Sequence, residues 1–210
     1  MPVVPFDLRG LAPGQGPSRR HVASVVDAAS GQDTTIAVAG RVPALAAVLA
    51  RLWKTDRLPG VAVAWEPVDG DRDCSGLARD LGLGTGEPRE LSLVRDDHGG
   101  VLLHHGRVEA AGEPRRALAR RFGAQAHHDS TKIADGQITR IEVRPRWDVA
   151  DELSVGVVTV PLRPLRRSTG RAVQIACDPA RVVRDGVPLD RDVVRWTWYA
   201  DDRVRWRLQP

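Results

Sequence analysis

The 210-residue sequence is poor in lysine, cysteine and aromatic residues, and it has no long hydrophobic run. Its two cysteines, Cys74 and Cys177, lie about a hundred residues apart, a spacing that matches neither a zinc motif nor a disulfide framework. No apolar run approaches the roughly 20 residues that a membrane-spanning helix needs, and the N-terminal residues do not have the pattern of a signal peptide. We therefore expect a cytoplasmic protein with reduced thiols.

Arginine carries almost all of the positive charge. Only Lys54 and Lys132 are lysines, so 29 of the 31 basic residues are arginines, and the formal net charge is +4. Abundant Arg, Ala, Val, Gly and Asp are typical of a GC-rich genome of the actinobacterial type. The arginines are scattered among acidic residues, so we expect no dedicated nucleic-acid site. A modest attraction to phosphates or to an anionic lipid surface follows from the charge, and peripheral membrane contact is compatible with it.

The first 87 residues predict an α/β unit. Residues 34–39 (TTIAVA) and 61–65 (VAVAW) are short apolar runs typical of buried parallel strands. Between them, apolar residues recur with helical spacing over residues 45–53, behind a proline, Pro43, that suits a first helical turn. A strand, a helix and a strand in this order indicate a Rossmann-like βαβ unit with a right-handed crossover.

Two further helices are predicted on either side of this unit. Ser18 is a suitable N-cap for a helix over residues 19–29, and residues 75–83 indicate a short helix behind an acidic loop. The following glycines, at residues 82–86 (GLGTG), come after a helix rather than a strand. That context favours an interdomain hinge over a displaced phosphate loop, and places the domain boundary near residues 84–90.

From residue 88 to residue 210 the pattern changes to short extended runs separated by turns. This spacing is typical of a β-sandwich or a rolled sheet, with one helix expected near residues 114–122. The sequence thus predicts an α/β, nucleotide-binding-like half (residues 1–87) and a β-rich, sandwich-like half (residues 88–210), α+β overall. The predicted extended runs are residues 91–94, 101–105, 138–143, 154–161, 171–177, 180–183, 193–199 and 203–208.

Several strings resemble those of bacterial diacylglycerol kinases and related lipid kinases. Residues 77–83 (LARDLGL) are similar to the family's Phe-Ala-Arg-x-Leu-Gly helix, and residues 170–175 (GRAVQI) and 181–187 (RVVRDGV) are similar to two strands of its second domain. In that family an α/β domain binds nucleotide, a β-sandwich domain follows, and a Gly-Gly-Asp-Gly-Thr loop contacts the ATP phosphates. The resemblance implies the same fold, and it implies ATP and Mg²⁺ as cofactors if the protein is an active kinase.

The family's phosphate-binding residues are replaced in this sequence. Residues 39–43 (AGRVP) stand where the glycine-rich loop would be. Glycine allows backbone N–H groups to approach phosphates, which Arg41 and Val42 oppose sterically, and Pro43 has no N–H. The second glycine-rich turn becomes residues 71–76 (DRDCSG), whose added carboxylates repel a triphosphate. Because phosphoryl transfer depends on positioning and charge neutralisation, we expect impaired catalysis.

The resulting hypothesis is a divergent lipid-kinase-like protein that serves as a ligand-binding or regulatory module, with a lipid or small molecule in an interdomain cleft. The alternative is an active ATP-dependent lipid kinase with a rearranged phosphate loop. The family's glutamate after its Asp-Gly turn is absent, since Gln137 and Val187 follow the two such turns here. The candidate cofactor-binding residues are Gly40, Arg41, Asp71, Asp73, Ser75 and Gly76, and the candidate catalytic residues are Asp135 and Asp185.

Two tryptophans, Trp196 and Trp198, are conspicuous in a chain with 4% aromatic residues. On a strand, side-chain alternation puts both on one face. This face is expected either to bind a substrate, as a platform for an acyl chain or a base, or to pack into the core between the two halves.

The histidines supply a further alternative, a metal-dependent enzyme. His104 and His105 are adjacent, as are His127 and His128, and Asp129 follows the second pair. Adjacent residues on a strand point to opposite faces, so only one histidine of each pair can join a shared zinc site. Solvent-facing or hydrogen-bonded histidines are the other interpretation. A plain interaction protein, dimeric through exposed sheet edges, also remains open.

Overall fold

A computed structural model describes residues 2–29, 33–112, 120–159 and 166–209. Within these ranges, thirteen strands form one mixed sheet and three helices accompany it. The helices are α1 (Arg19–Ala28), α2 (Val42–Lys54) and α3 (Arg72–Leu81). The strands are β1 (Val3–Asp7), β2 (Thr34–Gly40), β3 (Val61–Pro67), β4 (Arg89–Asp96), β5 (Gly106–Ala110), β6 (Phe122–His128), β7 (Thr131–Ile138), β8 (Arg140–Arg146), β9 (Glu152–Val158), β10 (Arg166–Gly170), β11 (Ala172–Arg184), β12 (Val187–Pro188) and β13 (Val193–Gln209).

The N-terminal strands are parallel. β1, β2, β3 and the last residues of β13 lie side by side in that order. β2 reads TTIAVAG and is buried along nearly its whole length, as expected of a parallel strand covered on both faces. The predicted strand, helix and strand are therefore present as β2, α2 and β3.

The helices begin and end where local chemistry favours it. Ser18 caps α1, since its Oγ accepts a hydrogen bond from the backbone N–H of His21 at 3.2 Å. Pro43 occupies the first turn of α2, as predicted, and α2 buries an apolar face against the sheet. The last carbonyls of α1, at Val26 and Ala29, accept hydrogen bonds from the Arg57 guanidinium, which satisfies the acceptors that a helix end leaves free.

The remaining strands form two layers that share β11. The first part of β11 pairs with β6 and β13, whereas its second part pairs with β5. β5 continues through β8 and β9 to β10, and β6 continues to β7. β13 is shared in the same way, because residues 193–199 pair with β11 and residues 207–209 run parallel to β3.

Two apolar cores result from this arrangement. The first lies beneath α1, α2 and α3, and β13 contributes Trp206 and Leu208 to it. The second lies between the two strand layers and includes Trp196 and Trp198 of the same strand. Trp147 packs edge-on against Trp206, with ring centroids 6.4 Å apart, so the β8–β9 region also contacts the first core.

Several predicted boundaries differ from the structure. Residues 101–105 do not form a regular strand, because backbone N–H groups of this segment bind the carboxylate of Asp185 and β5 begins only at Gly106. The runs at 171–183 and 193–208 form single long strands, each with a β-bulge or irregularity. Of the predicted helix at 114–122, residues 114–119 lie outside the described residues, and Phe122 begins β6.

The division at residues 84–90 stays a prediction, since β13 joins the sheet of the first half to that of the second. No helix in the described part of the chain is long and apolar enough to cross a membrane.

The burial of Trp198 gives a first prediction. Its side chain is fully buried, whereas Val194 on the same strand is 57% exposed. Trp198→Ala should lower the free energy of unfolding by about 3–5 kcal/mol in urea titrations, because it leaves a large cavity. The control Val194→Ala should change it by less than about 0.5 kcal/mol. A change of under about 1 kcal/mol for Trp198→Ala would contradict the packing described here.

Candidate functional site

The carboxyl ends of β1, β2 and β3 meet at one edge of the parallel sheet. Open α/β sheets bind ligands at this edge. Charged side chains follow each strand there. Arg9 lies between the carboxylates of Asp7 and Glu66, at 2.6 Å and 3.3 Å, and Arg41 contacts Asp71. Five charged groups thus lie at this edge in two separate clusters, one around Arg9 and one formed by Arg41 and Asp71.

Gly40 ends β2 in close contact with its neighbours. A Cβ at this position would lie 3.2 Å from the Cβ of Ala44 and 3.3 Å from the Cβ of Leu8. Its carbonyl oxygen accepts a hydrogen bond from Nε1 of Trp65 at 2.9 Å. The glycine therefore permits tight packing between β1, β2 and α2.

Arg41 spans from the β2–α2 turn to two other segments. Its guanidinium forms an ion pair with Asp71, and its Nε donates to the carbonyl oxygen of Leu11 at 3.4 Å. Burial opposes ionisation of Asp71, but the hydrogen bonds from Cys74 and the charge of Arg41 outweigh it, so the pKa of this carboxyl is lowered. The segments that follow β1, β2 and β3 are thus tied together by one side chain.

The acidic turn at residues 71–76 is the beginning of α3. Asp71 is the N-cap, and its Oδ1 accepts a hydrogen bond from the backbone N–H of Cys74 at 2.9 Å. The hydroxyl of Ser75 donates to the carbonyl oxygen of Asp71 at 2.9 Å. The donors that a helix N-terminus can offer to an anion are therefore partly used within the helix itself.

Asp73 and Gly76 contact the second half of the chain through one histidine. Nε2 of His104 lies 3.7 Å from a carboxylate oxygen of Asp73. A Cβ at Gly76 would lie only 3.0 Å from Cε1 of His104, so the ring packs directly on the helix backbone. The structure thereby brings the candidate binding residues of α3 against the loop at residues 103–105.

Asp185 organises that loop. Its buried carboxylate accepts hydrogen bonds from the backbone N–H groups of Leu103, His104 and His105, at 2.9, 2.8 and 2.9 Å. Burial raises the pKa of Asp185, although these hydrogen bonds oppose the rise. Asp185 has φ of 48°, in the left-handed region that aspartate tolerates in turns. The carboxylate is thus engaged by the backbone on both oxygens.

Asp135 occupies a different environment. It is exposed on β7, where it accepts hydrogen bonds from Lys132 at 2.9 Å and from Gln125 at 3.2 Å. The hydrogen bond from Lys132 lowers the pKa of Asp135. No hydrogen bond or ion pair joins Asp135 to Asp185 within the described residues. The two candidate catalytic carboxylates therefore lie in separate settings, one a shallow groove and the other a buried turn.

The two tryptophans of β13 point into the second core. Trp196 and Trp198 are 1% and 0% exposed, and their rings meet edge-on with centroids 5.6 Å apart. His98 stacks on Trp196 from the β4 side, at 4.7 Å between ring centroids. This burial favours the packing interpretation over an exposed platform for a substrate.

The second histidine pair follows the expected alternation. His127 is exposed and His128 is buried, with Nδ1 of His128 2.7 Å from the hydroxyl oxygen of Ser168. Asp129 instead accepts hydrogen bonds from the backbone N–H groups of Arg171 and Ala172. These residues make structural contacts between strands.

The structure does not assemble the four candidate metal ligands, His104, His127, His128 and Asp129, into one group. Within the described ranges, Asp96, Asp97 and His98 form the one cluster with ligand atoms within 4.8 Å of one another. Asp96 is already bonded to Arg184 and to the backbone N–H of Gly100.

A contact centred on Arg95 has no signal in the sequence. Its guanidinium lies between the rings of Trp53 and Tyr199, 4.4 and 4.3 Å from their centroids, and 2.7 Å from Asp201. This contact fixes the end of α2 against β4 and β13. The partners lie far apart along the chain, so no local pattern could have indicated it.

Comparison with known proteins supports the fold. No protein-family model matches the chain, and no curated protein matches it. A diacylglycerol kinase from Bacillus anthracis str. Sterne is similar with a TM-score of 0.70 at 11% identity, over 99% of this chain and 96% of that chain. A second structure from that organism, of a protein assigned to the same class, gives 0.73 at 11% identity over the same shares.

An NAD kinase from Archaeoglobus fulgidus, in complex with ATP, gives a TM-score of 0.56 at 13% identity, over 93% of this chain and 82% of that chain. At these identities the similarity shows the fold alone. The chain therefore has a diacylglycerol-kinase-like fold, in agreement with the resemblance seen in the sequence.

The two candidate aspartates lead to a second prediction. Asp185→Ala would leave three N–H groups, one buried and two partly buried, without their acceptor, so it should lower the free energy of unfolding by about 3 kcal/mol. The matched variant Asp135→Ala, at an exposed position, should change it by less than about 0.5 kcal/mol. Urea unfolding measures both. Equal stabilities for the two variants would show that the loop at 103–105 does not depend on Asp185.

His105 gives a third prediction. Burial, and then the charge of Arg144, lower its pKa from 6.5 to about 4. Between these values the unfolded chain binds more protons than the folded protein, so stability should fall as the pH drops through this window, by up to about 1.4 kcal/mol per pH unit. His105→Gln should remove this part of the slope.

Urea unfolding at several pH values, on both proteins, measures the difference. His128 and the carboxyls titrate in both proteins, so their contributions cancel. If the free energy of unfolding depends on pH identically in the wild type and in His105→Gln, the lowered pKa of His105 is contradicted.

Proposed function

We propose that this protein is a divergent, catalytically impaired relative of the diacylglycerol-kinase-type lipid kinases that serves as a ligand-binding or regulatory module. The proposal is supported by a fold that matches such kinases over almost the whole chain. It is further supported by the charged edge at the carboxyl ends of β1, β2 and β3, whose side chains are paired with one another.

The observation that carries the proposal is the contact between Arg41 and Asp71. A phosphate cradle needs free backbone N–H groups and positive charge. At this turn, Pro43 offers no N–H, and the guanidinium of Arg41 is already paired with a carboxylate. A nucleotide phosphate would have to break that ion pair and then meet Asp71 at close range. Binding of a triphosphate here is therefore disfavoured by charge as well as by backbone chemistry.

The proposed loss of catalysis has a second support in the strand-rich half. A kinase of this type needs a base close to the hydroxyl that receives the phosphate. Asp185 lies beside the loop that contacts α3, but its carboxylate accepts three backbone hydrogen bonds. Val187 follows its turn, and it brings no titratable group. The contact of His104 with Gly76 further closes the approach between α3 and this loop.

Titration with Mg-ATP tests the proposal directly. A ligand at a hundred times its dissociation constant stabilises the folded state by about 2.7 kcal/mol. We expect no saturable rise in melting temperature with Mg-ATP, and no phosphorylation of diacylglycerol vesicles by the purified protein. The expected result is the same for the variant Arg41→Ala, since the ion pair is not a catalytic contact.

The opposite result would favour the alternative, an active lipid kinase with a rearranged loop. Saturable stabilisation by Mg-ATP, together with diacylglycerol phosphorylation that Arg41→Ala abolishes, would refute the impaired-enzyme proposal. Mass spectrometry of the protein under non-denaturing conditions would identify a ligand retained through purification. A retained lipid or small metabolite supports a binding module. A retained adenine nucleotide contradicts the proposal that the turn between β2 and α2 does not bind nucleotide phosphates.

A further inference from the structure

The outer face of the sheet formed by β5, β8, β9 and β10 carries an excess of arginine. The opposite face of these strands packs into the second core through Val108, Ile141 and Val155. Because strand residues alternate between faces, the intervening side chains point outward. The outward-facing residues are Arg107 and Glu109 on β5, Arg140, Glu142, Arg144 and Arg146 on β8, Glu152, Ser154, Gly156 and Val158 on β9, and Arg167 and Thr169 on β10.

Each glutamate on this face forms an ion pair with an arginine. Arg140 contacts Glu142 at 2.6 Å, and Arg146 contacts Glu152 at 3.3 Å. Glu109 is paired at 2.7 Å with Arg181 of the adjoining strand β11.

Three arginines of the face have no ion-pair partner among the described residues. The side chains of Arg107, Arg144 and Arg167 form no ion pair or hydrogen bond with another described residue, and Arg144 and Arg167 are exposed. The uncompensated positive charge is therefore concentrated on these three side chains.

The register of the strands places two of these arginines, Arg107 and Arg144, close to one another. Arg107 of β5 is opposite Glu142 of β8, and Arg144 lies two residues beyond Glu142 on β8. Such diagonal neighbours have Cβ atoms about 7–8 Å apart, within reach of two long side chains. Arg167 is opposite Gly156 of β9 and lies two strands from β8, in the row of Glu142. Ser154 is opposite Arg144 and adds a hydroxyl to the same row.

His105 borders this group. Its Nε2 is buried and has no hydrogen-bond partner among the described residues, which is unusual for a ring nitrogen. Arg144 and Glu142 face it from β8, and Arg107 and His104 flank it in its own segment. Asp185, at the end of β11, accepts the hydrogen bond from its backbone N–H. Burial, and then the charge of Arg144, disfavour the protonation of His105, whereas the charge of Glu142 favours it.

We propose that Arg107, Arg144 and His105 form a binding site for a phosphate monoester on the outer face of the sheet. The planar guanidinium groups present paired N–H donors that match phosphate oxygens. A bound dianion would neutralise Arg107 and Arg144, and it would favour the protonated form of His105. This site includes neither Arg41 nor Asp71, so it does not depend on the proposed function.

Titration with inorganic phosphate, followed by NMR of the histidine ring protons, tests the site in the folded protein. Saturating phosphate should raise the pKa of His105, and binding should tighten as the pH falls. Arg107→Gln and Arg144→Gln should each weaken phosphate binding about 10- to 100-fold. The matched control is Arg195→Gln, at an exposed arginine of β13 that also has no ion pair among the described residues, and it should bind as the wild type does.

Two ligand sources share this chemistry, and vesicle sedimentation separates them. Co-sedimentation with vesicles of phosphatidic acid, but not of phosphatidylcholine, would identify a lipid headgroup as the ligand. Binding of glycerol 3-phosphate without co-sedimentation would identify a soluble phosphate monoester.

The site would be refuted by an unchanged His105 titration in saturating phosphate. Equal weakening in Arg195→Gln and in the two site variants would refute it as well, because the attraction would then be a general effect of net charge.

Discussion

The seventeen residues of β13 are the constraint on which both halves of the molecule depend. Its first part pairs with β11 and delivers Trp196 and Trp198 to the core between the strand layers. Its last part lies parallel to β3 and delivers Trp206 to the core beneath the helices. An isolated α/β half would therefore lack a parallel strand and a large buried ring.

The turn between β2 and α2 keeps a strand, a turn and a helix in order without a glycine-rich sequence. The fold needs only the strand, the turn and the helix, and residues 39–43 (AGRVP) supply these with a single glycine. In the proposed function, the ion pair between Arg41 and Asp71 replaces a bound anion. Asp71 has two roles in this arrangement, since it caps α3 with one oxygen and pairs with Arg41 through the other.

Much of the first half could be predicted because its signals are local. The apolar run of β2, the proline of α2 and the cap at Ser18 each act within a few residues. α3 begins at Arg72 rather than at the predicted Ser75, because Asp71 is its N-cap and the acidic residues that favour a loop lie within its first turn. What escaped prediction depends on distant partners. Neither the hydrogen bonds of Asp185 to the loop at 103–105 nor the position of Arg95 between two aromatic rings has a sequence signature.

The pairing of β13 with β3 also has a consequence for how the chain reaches this structure. Leu208 lies beside Val63, a separation of about 140 residues, and contacts between such distant residues slow folding because a long loop must close before they form. During synthesis, β1, β2 and β3 emerge with one sheet edge uncovered, and that edge stays open until β13 arrives. An unpaired apolar strand edge is a template for association with other chains. The nascent protein should therefore depend on chaperones in proportion to the time during which the edge of β3 is not paired with β13.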